Sequence, residues 1–342
     1  MLNQSKQAKF FRLAIYSFTA ACLLSLLWSY VRLSNAGLGC PDWPGCYGKL
    51  FAPITAQDLD TLRSYTPRIV LEEEKVLRET VQRYVSGVLG LLIIRLAMLG
   101  WQLKKRYRRQ QWLIPLSVFV LVFTQVAIGV LTVRLQYKPL VVMFQLVAGM
   151  SIIGLLWWVI LREERFWLPV VNAPPRLLAR LRLRALFALV LVILQILLGG
   201  WVSANYAALA CPDLPTCQGR WWPEMDMSNG FALWRDIGLD YSGSLLDLPA
   251  ATGIHMAHRL AGLGVFLYVG WLALHTIRVG FKDKLWGYGV ALLFAVLLET
   301  ALGLTSVLAR LPLPLAVGHY AGAIVLLVSA ITYYHVVRPP KR

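Results

Sequence analysis

Two histidines carry the strongest chemical signal in the chain: His258, in "HMAHRLAGLG", and His319, in "LPLAVGHYAG". Each lies just inside the outer end of its own apolar run, at a depth of ~8 to 9 Å by helical rise. Neutral imidazole is a good ligand for iron. Two rings at one level on different helices can therefore ligate one iron from opposite faces, with a porphyrin standing between the helices. That is the geometry of a membrane b-type haem (iron-protoporphyrin IX), expected here in the C-terminal half. The competing reading, stronger for a single histidine than for a matched pair, is a hydrogen bond to a loop or a neighbouring helix. His255 lies one turn above His258 and shares its face, where it can orient a propionate or substitute as ligand. Arg259 reads equally as a propionate counter-charge or as a structural ion pair.

These residues need long helices to position them. Of the 342 residues, 58% are hydrophobic, and the apolar ones fall into eight blocks: 13 to 33, 84 to 103, 112 to 133, 139 to 161, 185 to 205, 253 to 274, 285 to 309 and 313 to 337. Each block can cross a hydrocarbon core of ~30 Å. Lipid cannot satisfy backbone amides, so the blocks must be helices, and the fold class is an all-α polytopic membrane protein. The net charge of +17 invites a nucleic-acid reading, which its distribution excludes. Segments 1 to 12, 104 to 111, 162 to 184, 275 to 284 and 338 to 342 hold 20 Lys and Arg against three acidic residues, the whole of the net charge. Loops 35 to 80 and 206 to 250 hold 13 of the 17 acidic residues. By the positive-inside rule both termini are cytoplasmic and the long loops lie outside, as in a bacterial-type inner (plasma) membrane.

The chain also repeats itself at an offset of 171 to 176 residues. Cys40-Pro41-Asp42 with Cys46 matches Cys211-Pro212-Asp213 with Cys217, Gln82-Arg83 matches His258-Arg259, and Gln125, Gly129 and Gln145 match Glu299, Gly303 and His319. Four spans repeated once predict two parallel-repeat four-helix bundles: an N-terminal half (1 to 170), a cytoplasmic linker (171 to 184) and a C-terminal half (185 to 342). The spacing of each Cys pair in an outer loop favours local disulfides, Cys40 to Cys46 and Cys211 to Cys217, over a zinc site. The first half reproduces the helices without the imidazoles. Gln82 and Gln145 replace them, and an amide oxygen is a poor iron ligand. Arg83 is placed as Arg259 is, and Glu79 is placed as His255 is, one turn above Gln82. Glu79 reads either as a functional ionisable group at the membrane edge or as a solvated helix-start carboxylate.

The strings "RLSNAGLGCPDWPGCYG", "GGWVSANYAALACPDLPTCQGRWWPEMD", "HMAHRLAG" and "LPLAVGHYAG" resemble the heme A synthase family from about residue 13 to 337. The resemblance implies a C-terminal half holding haem b on His258 and His319, and an N-terminal half receiving haem O. It implies oxidation of the haem O C8 methyl group to the formyl group of haem A, for cytochrome oxidase. The family's first-half ligand pair falls on Gln82 and Gln145, and Glu79 matches an acidic residue implicated in the oxidation. A haem O synthase and oxidase assembly factors are the implied partners, with the lipid bilayer as surroundings and no nucleic acid. Three other readings stand beside the synthase. They are a degenerate haem b-binding homologue, a parallel-repeat transporter, against which the outer position of the polar residues argues, and a quinol-oxidising cytochrome.

Overall fold

A computed structural model describes residues 2–34, 40, 45–46, 73–104, 109–134, 138–163, 171, 173–234, 246–280 and 284–338. Most of the first outer loop and the basic run 105–108 lie outside the described residues. Among the described residues eight helices are long and apolar enough to cross a membrane, and there is no strand. They are α1 (Leu2–Leu33), α2 (Glu73–Gln102), α3 (Arg109–Arg134), α4 (Pro139–Glu163), α5 (Pro175–Ala204), α6 (Leu248–Val279), α7 (Trp286–Leu308) and α8 (Leu313–Val336). Each contains one of the eight apolar blocks or nearly all of it.

Two helices begin well before their apolar block. Helix α2 begins at Glu73 and has the Glu74 carboxylate in its first turn, which favours a helix N-terminus, so Glu79 lies in its second turn and not at a solvated helix start. Helix α5 opens on Pro175, whose fixed φ suits a first helical position. The Leu, Arg and Ala residues that follow are good helix formers. The stretch read from sequence as a linker, 171 to 184, is therefore helical from Pro175 onward.

Compactness divides the chain into Met1–Tyr137, with α1 to α3, and Lys138–Arg342, with α4 to α8. The sequence repeat divides it after residue 170, so α4 belongs to the first repeat by sequence and packs with the second unit. Large apolar side chains face outward along the helices, Phe123 and Leu183 among the most exposed. This inversion is stable only where the solvent is lipid. Small residues let the helices of the second unit approach closely. A Cβ on Gly200 of α5 would come within 2.1 Å of Leu146 of α4, and one on Gly289 of α7 within 2.9 Å of the Ala273 carbonyl oxygen of α6. Buried polar ties add to this packing: Trp157 Nε1 of α4 donates to Thr332 Oγ1 of α8 at 2.8 Å, and the hydroxyls of Thr276 and Tyr333 join α6 to α8 at 2.5 Å.

Candidate functional site

In the second unit the rings of His258 on α6 and His319 on α8 lie with centroids 6.4 Å apart and planes at 75°. With metal–imidazole bonds of ~2 Å and roughly 1 Å from ring nitrogen to ring centre, two rings facing one metal from opposite sides have centres ~6 Å apart. The pair has that spacing. Each ring lies with its Cε1 edge against a glycine of the preceding helix. A Cβ on Gly199 of α5 would stand 3.0 Å from His258 Cε1, and one on Gly303 of α7 would stand 2.9 Å from His319 Cε1. Only glycine leaves both rings where they are. Among the described residues no group of three or more His, Cys, Asp and Glu side chains is placed to hold a metal ion. A porphyrin brings four nitrogens of its own and asks two ligands of the protein, so the fit is to a haem and not to a bare ion.

Behind each ring stands one polar side chain. Gln195 Nε2 of α5 lies 3.0 Å from His258 Nδ1, 3.5 Å from Nε2 and 3.1 Å from the His258 carbonyl oxygen. Glu299 Oε1 of α7 lies 3.1 Å from His319 Nδ1, close enough for an ion pair although Nδ1 makes no well-aligned hydrogen bond. Gln195 Oε1 and Glu299 Oε2 are both buried without a hydrogen-bond partner. The repeat aligns Glu299 with Gln125 without assigning it a role, and Gln195 was missed altogether.

The remaining candidates clamp the outer loops. In the first unit Glu79 is buried, its Oε2 accepting the Cys40 N–H at 2.9 Å and its Oε1 the Arg83 Nη2–H at 2.6 Å. Arg83 also donates to the carbonyl oxygens of Gly45 and Cys40. In the second unit His255, equally buried, accepts the Cys211 N–H on Nδ1 at 3.2 Å. Arg259 donates to the carbonyl oxygens of Cys211 at 2.6 Å, Asp213 at 2.9 Å and Thr216 at 3.0 Å. One acceptor and one arginine four residues on thus hold each Cys loop, whose sulfur pairs lie at bonding distance, 1.99 Å for Cys40 and Cys46 and 1.96 Å for Cys211 and Cys217. His255 is committed to its loop through Nδ1. Arg259 binds three carbonyl oxygens, and its buried Nε has no partner. Gln82, on α2, and Gln145, on α4, are half-buried in different units.

The second loop is also tied by Asp213. Its carboxylate accepts from Thr216 Oγ1, from Gly219 N at 3.0 Å and from Gln218 N at 2.6 Å. These bonds, the Thr216 hydroxyl foremost, lower its pKa from 3.8 to about 2. A carboxyl depressed in the folded state contributes order above its unfolded pKa and loses it as pH falls through the folded one. Amide-exchange protection at Gln218 and Gly219 is therefore expected to hold above about pH 4 and to fall toward pH 2. In Asp213→Ala that protection is expected to be low at every pH.

Fold and site together define a class: an all-α membrane protein with eight spanning-length helices among the described residues and two imidazoles on separate helices brought ring to ring. The family model described as COX15-CtaA, cytochrome oxidase assembly protein, matches residues 11–331, and the chain belongs to that family. Its relatives include proteins named heme A synthase. One from Shewanella oneidensis is 36% identical over 310 residues, covering 91% of this chain and 91% of the relative. One from Methylobacterium radiotolerans is 28% identical, covering 88% and 83%. One from Halalkalibacterium halodurans is 25% identical, covering 84% of each.

Proposed function

We propose that the chain is a heme A synthase-type membrane oxidoreductase that converts haem O to haem A, oxidising the C8 methyl group to formyl, for cytochrome oxidase biogenesis. Membership of a family whose relatives are named for that product supports the reading. The observation that carries it is the His258 and His319 pair, spaced for one metal atom in a chain of that family. These two side chains hold a resident haem b, whose contribution when bound is one-electron transfer. His255 and Arg259 keep the Cys211 loop over the outer end of α6, and Arg259 Nε remains as a donor toward a propionate. In the other half Glu79 acts on the substrate as proton acceptor or electrostatic stabiliser, held by Arg83 and Cys40. Gln82, three residues after Glu79 on α2, is a weak axial contact for a substrate that must leave again. Both termini lie in the cytoplasm, the loops outside carry the two disulfides, and a haem O synthase and oxidase assembly factors are the partners.

The test is to express the chain in a membrane supplied with haem O and to analyse the extracted haems. Haem A is expected. Haem O recovered unchanged would favour the second reading, a haem b-binding homologue without synthase activity, to which the loss of both first-half imidazoles at Gln82 and Gln145 points. The glycine cradle gives a separate check. Gly303→Val puts branched carbons where His319 Cε1 lies, so the haem-to-protein ratio of the purified variant is expected to fall by about tenfold or more. Helix content by far-ultraviolet dichroism should be unchanged.

A further inference from the structure

We propose that Gln195 and Glu299 are a matched pair of positioning residues that set the reduction potential of the metal held between His258 and His319, one through a neutral amide and the other through a carboxylate. This rests on the reading of that site as a haem site. The two residues are built in the same way. Gln195 precedes Gly199 by four residues in α5, and Glu299 precedes Gly303 by four in α7. In each helix the glycine admits the edge of a ring while the polar side chain, one turn away, reaches that ring's Nδ1, at 3.0 Å from Gln195 and 3.1 Å from Glu299. Each polar side chain also rests on a glycine of the histidine's own helix. A Cβ on Gly262 of α6 would lie 2.9 Å from Gln195 Nε2, and one on Gly322 of α8 would lie 2.1 Å from Glu299 Oε2. Four glycines thus make room for two imidazoles and two partners, and the halves differ in the partner's charge and in the bond that Gln195 Nε2 also donates to the His258 carbonyl oxygen.

That difference has a chemical consequence. A metal-bound imidazole presents its second N–H to an acceptor, and the acceptor fixes the ring's orientation and raises its donor strength. A carboxylate does this more strongly than an amide, because the hydrogen bond is charge-assisted. His319 is then the stronger donor and favours the oxidised metal. Gln195 can serve His258 in the same way only by turning its amide to present Oε1, the oxygen now buried without a partner, which gives up the bond Nε2 donates to the His258 carbonyl oxygen and leaves it the weaker partner. The two ligands are therefore unequal by construction, and the potential reflects which partner stands behind each.

The experiment is a redox titration of the purified holoprotein, followed by absorbance and by low-temperature electron paramagnetic resonance, for wild type, Glu299→Gln, Gln195→Glu and the double exchange. At the wild-type midpoint, Glu299→Gln is expected to lower the ferric-to-ferrous ratio by about tenfold, a shift of ~59 mV for one electron. Gln195→Glu is expected to shift it the other way, and the double exchange to return it near the wild-type value. A low-spin bis-imidazole signature with a midpoint unmoved in both single variants would overturn the proposal while leaving the haem reading intact. If one variant loses its haem, the sign of the shift in the other decides. A wild-type protein without any bis-imidazole haem would overturn the reading of the site and this inference together.

Discussion

Alanine at either His258 or His319 is expected to abolish the low-spin b-type spectrum of the purified protein. The two rings are 6.4 Å apart, and no group of three or more metal-ligating side chains gathers there among the described residues. His255, one turn above His258, is the only nearby substitute on its own helix face. Its Nδ1 already accepts the Cys211 N–H, and turning it inward would leave that buried N–H without a partner, at a cost of about 1 to 3 kcal/mol. Each single variant therefore leaves at most one axial ligand, and the expected residue is a high-spin or haem-free protein. The measurement is the reduced-minus-oxidised absorbance of protein purified in mild detergent, with haem quantified as its pyridine adduct. Helix content must match wild type. A low-spin spectrum surviving in both variants would remove these histidines from the site.

Much of this arrangement was legible because membrane helices announce themselves. Lipid forces every span to be a continuous apolar helix, so eight blocks gave eight helices. An imidazole inside such a block stands out by type and depth alone. Gln195 was missed because a lone amide in an apolar run has no signature on its own. Its signal was relational, a Gln four residues before Gly199 answering a Glu four residues before Gly303. The loop clamps had no sequence pattern that could reveal them. They join Arg83 and Arg259 to backbone carbonyl oxygens 38 to 48 residues away, and a carbonyl is the same at every residue. For that reason the loop bonds of Arg259 could not be foreseen, and the solvated alternative for Glu79 survived until its burial was seen. Its true surroundings are the Cys40 N–H and the Arg83 guanidinium.

The first repeat lacks more than its histidines. In the register of the Cys motifs, Leu24 and Trp28 of α1 stand where Gln195 and Gly199 stand in α5, and in the register of Arg83 and Arg259, Ser86 stands where Gly262 does. Restoring an imidazole at position 82 alone would supply neither the partner for its Nδ1 nor the glycine that admits its edge. On this side of the repeat ligand, partner and cradle are all different, so position 82 is not one substitution away from tight axial ligation, whereas Gln145 keeps the counterparts Gln125 and Gly129 of Glu299 and Gly303. That agrees with a substrate held by its macrocycle, tail and propionates and released after reaction.

Glu79→Gln is expected to stop haem A formation while leaving the resident haem spectrum unchanged. The substitution keeps an oxygen that can accept the Cys40 N–H, now 2.9 Å away, so the loop retains its anchor. It removes the negative charge 2.6 Å from the Arg83 guanidinium, and with it the capacity to take a proton at that atom. General base catalysis contributes about 10²- to 10⁴-fold, so haem A in extracts should fall by at least about a hundredfold against haem O. Loss of the anchor would give a different result, exposing Cys40 and Cys46 to reductant and alkylation. Glu79→His tests whether the negative charge itself is needed, because His255 shows that a histidine in this place can accept the corresponding Cys211 N–H, and an imidazole can also take a proton. Intact Cys loops without haem A in both variants would assign the carboxylate to the chemistry. Full conversion in Glu79→Gln would reduce Glu79 to a loop anchor, the job its counterpart His255 performs in the other half.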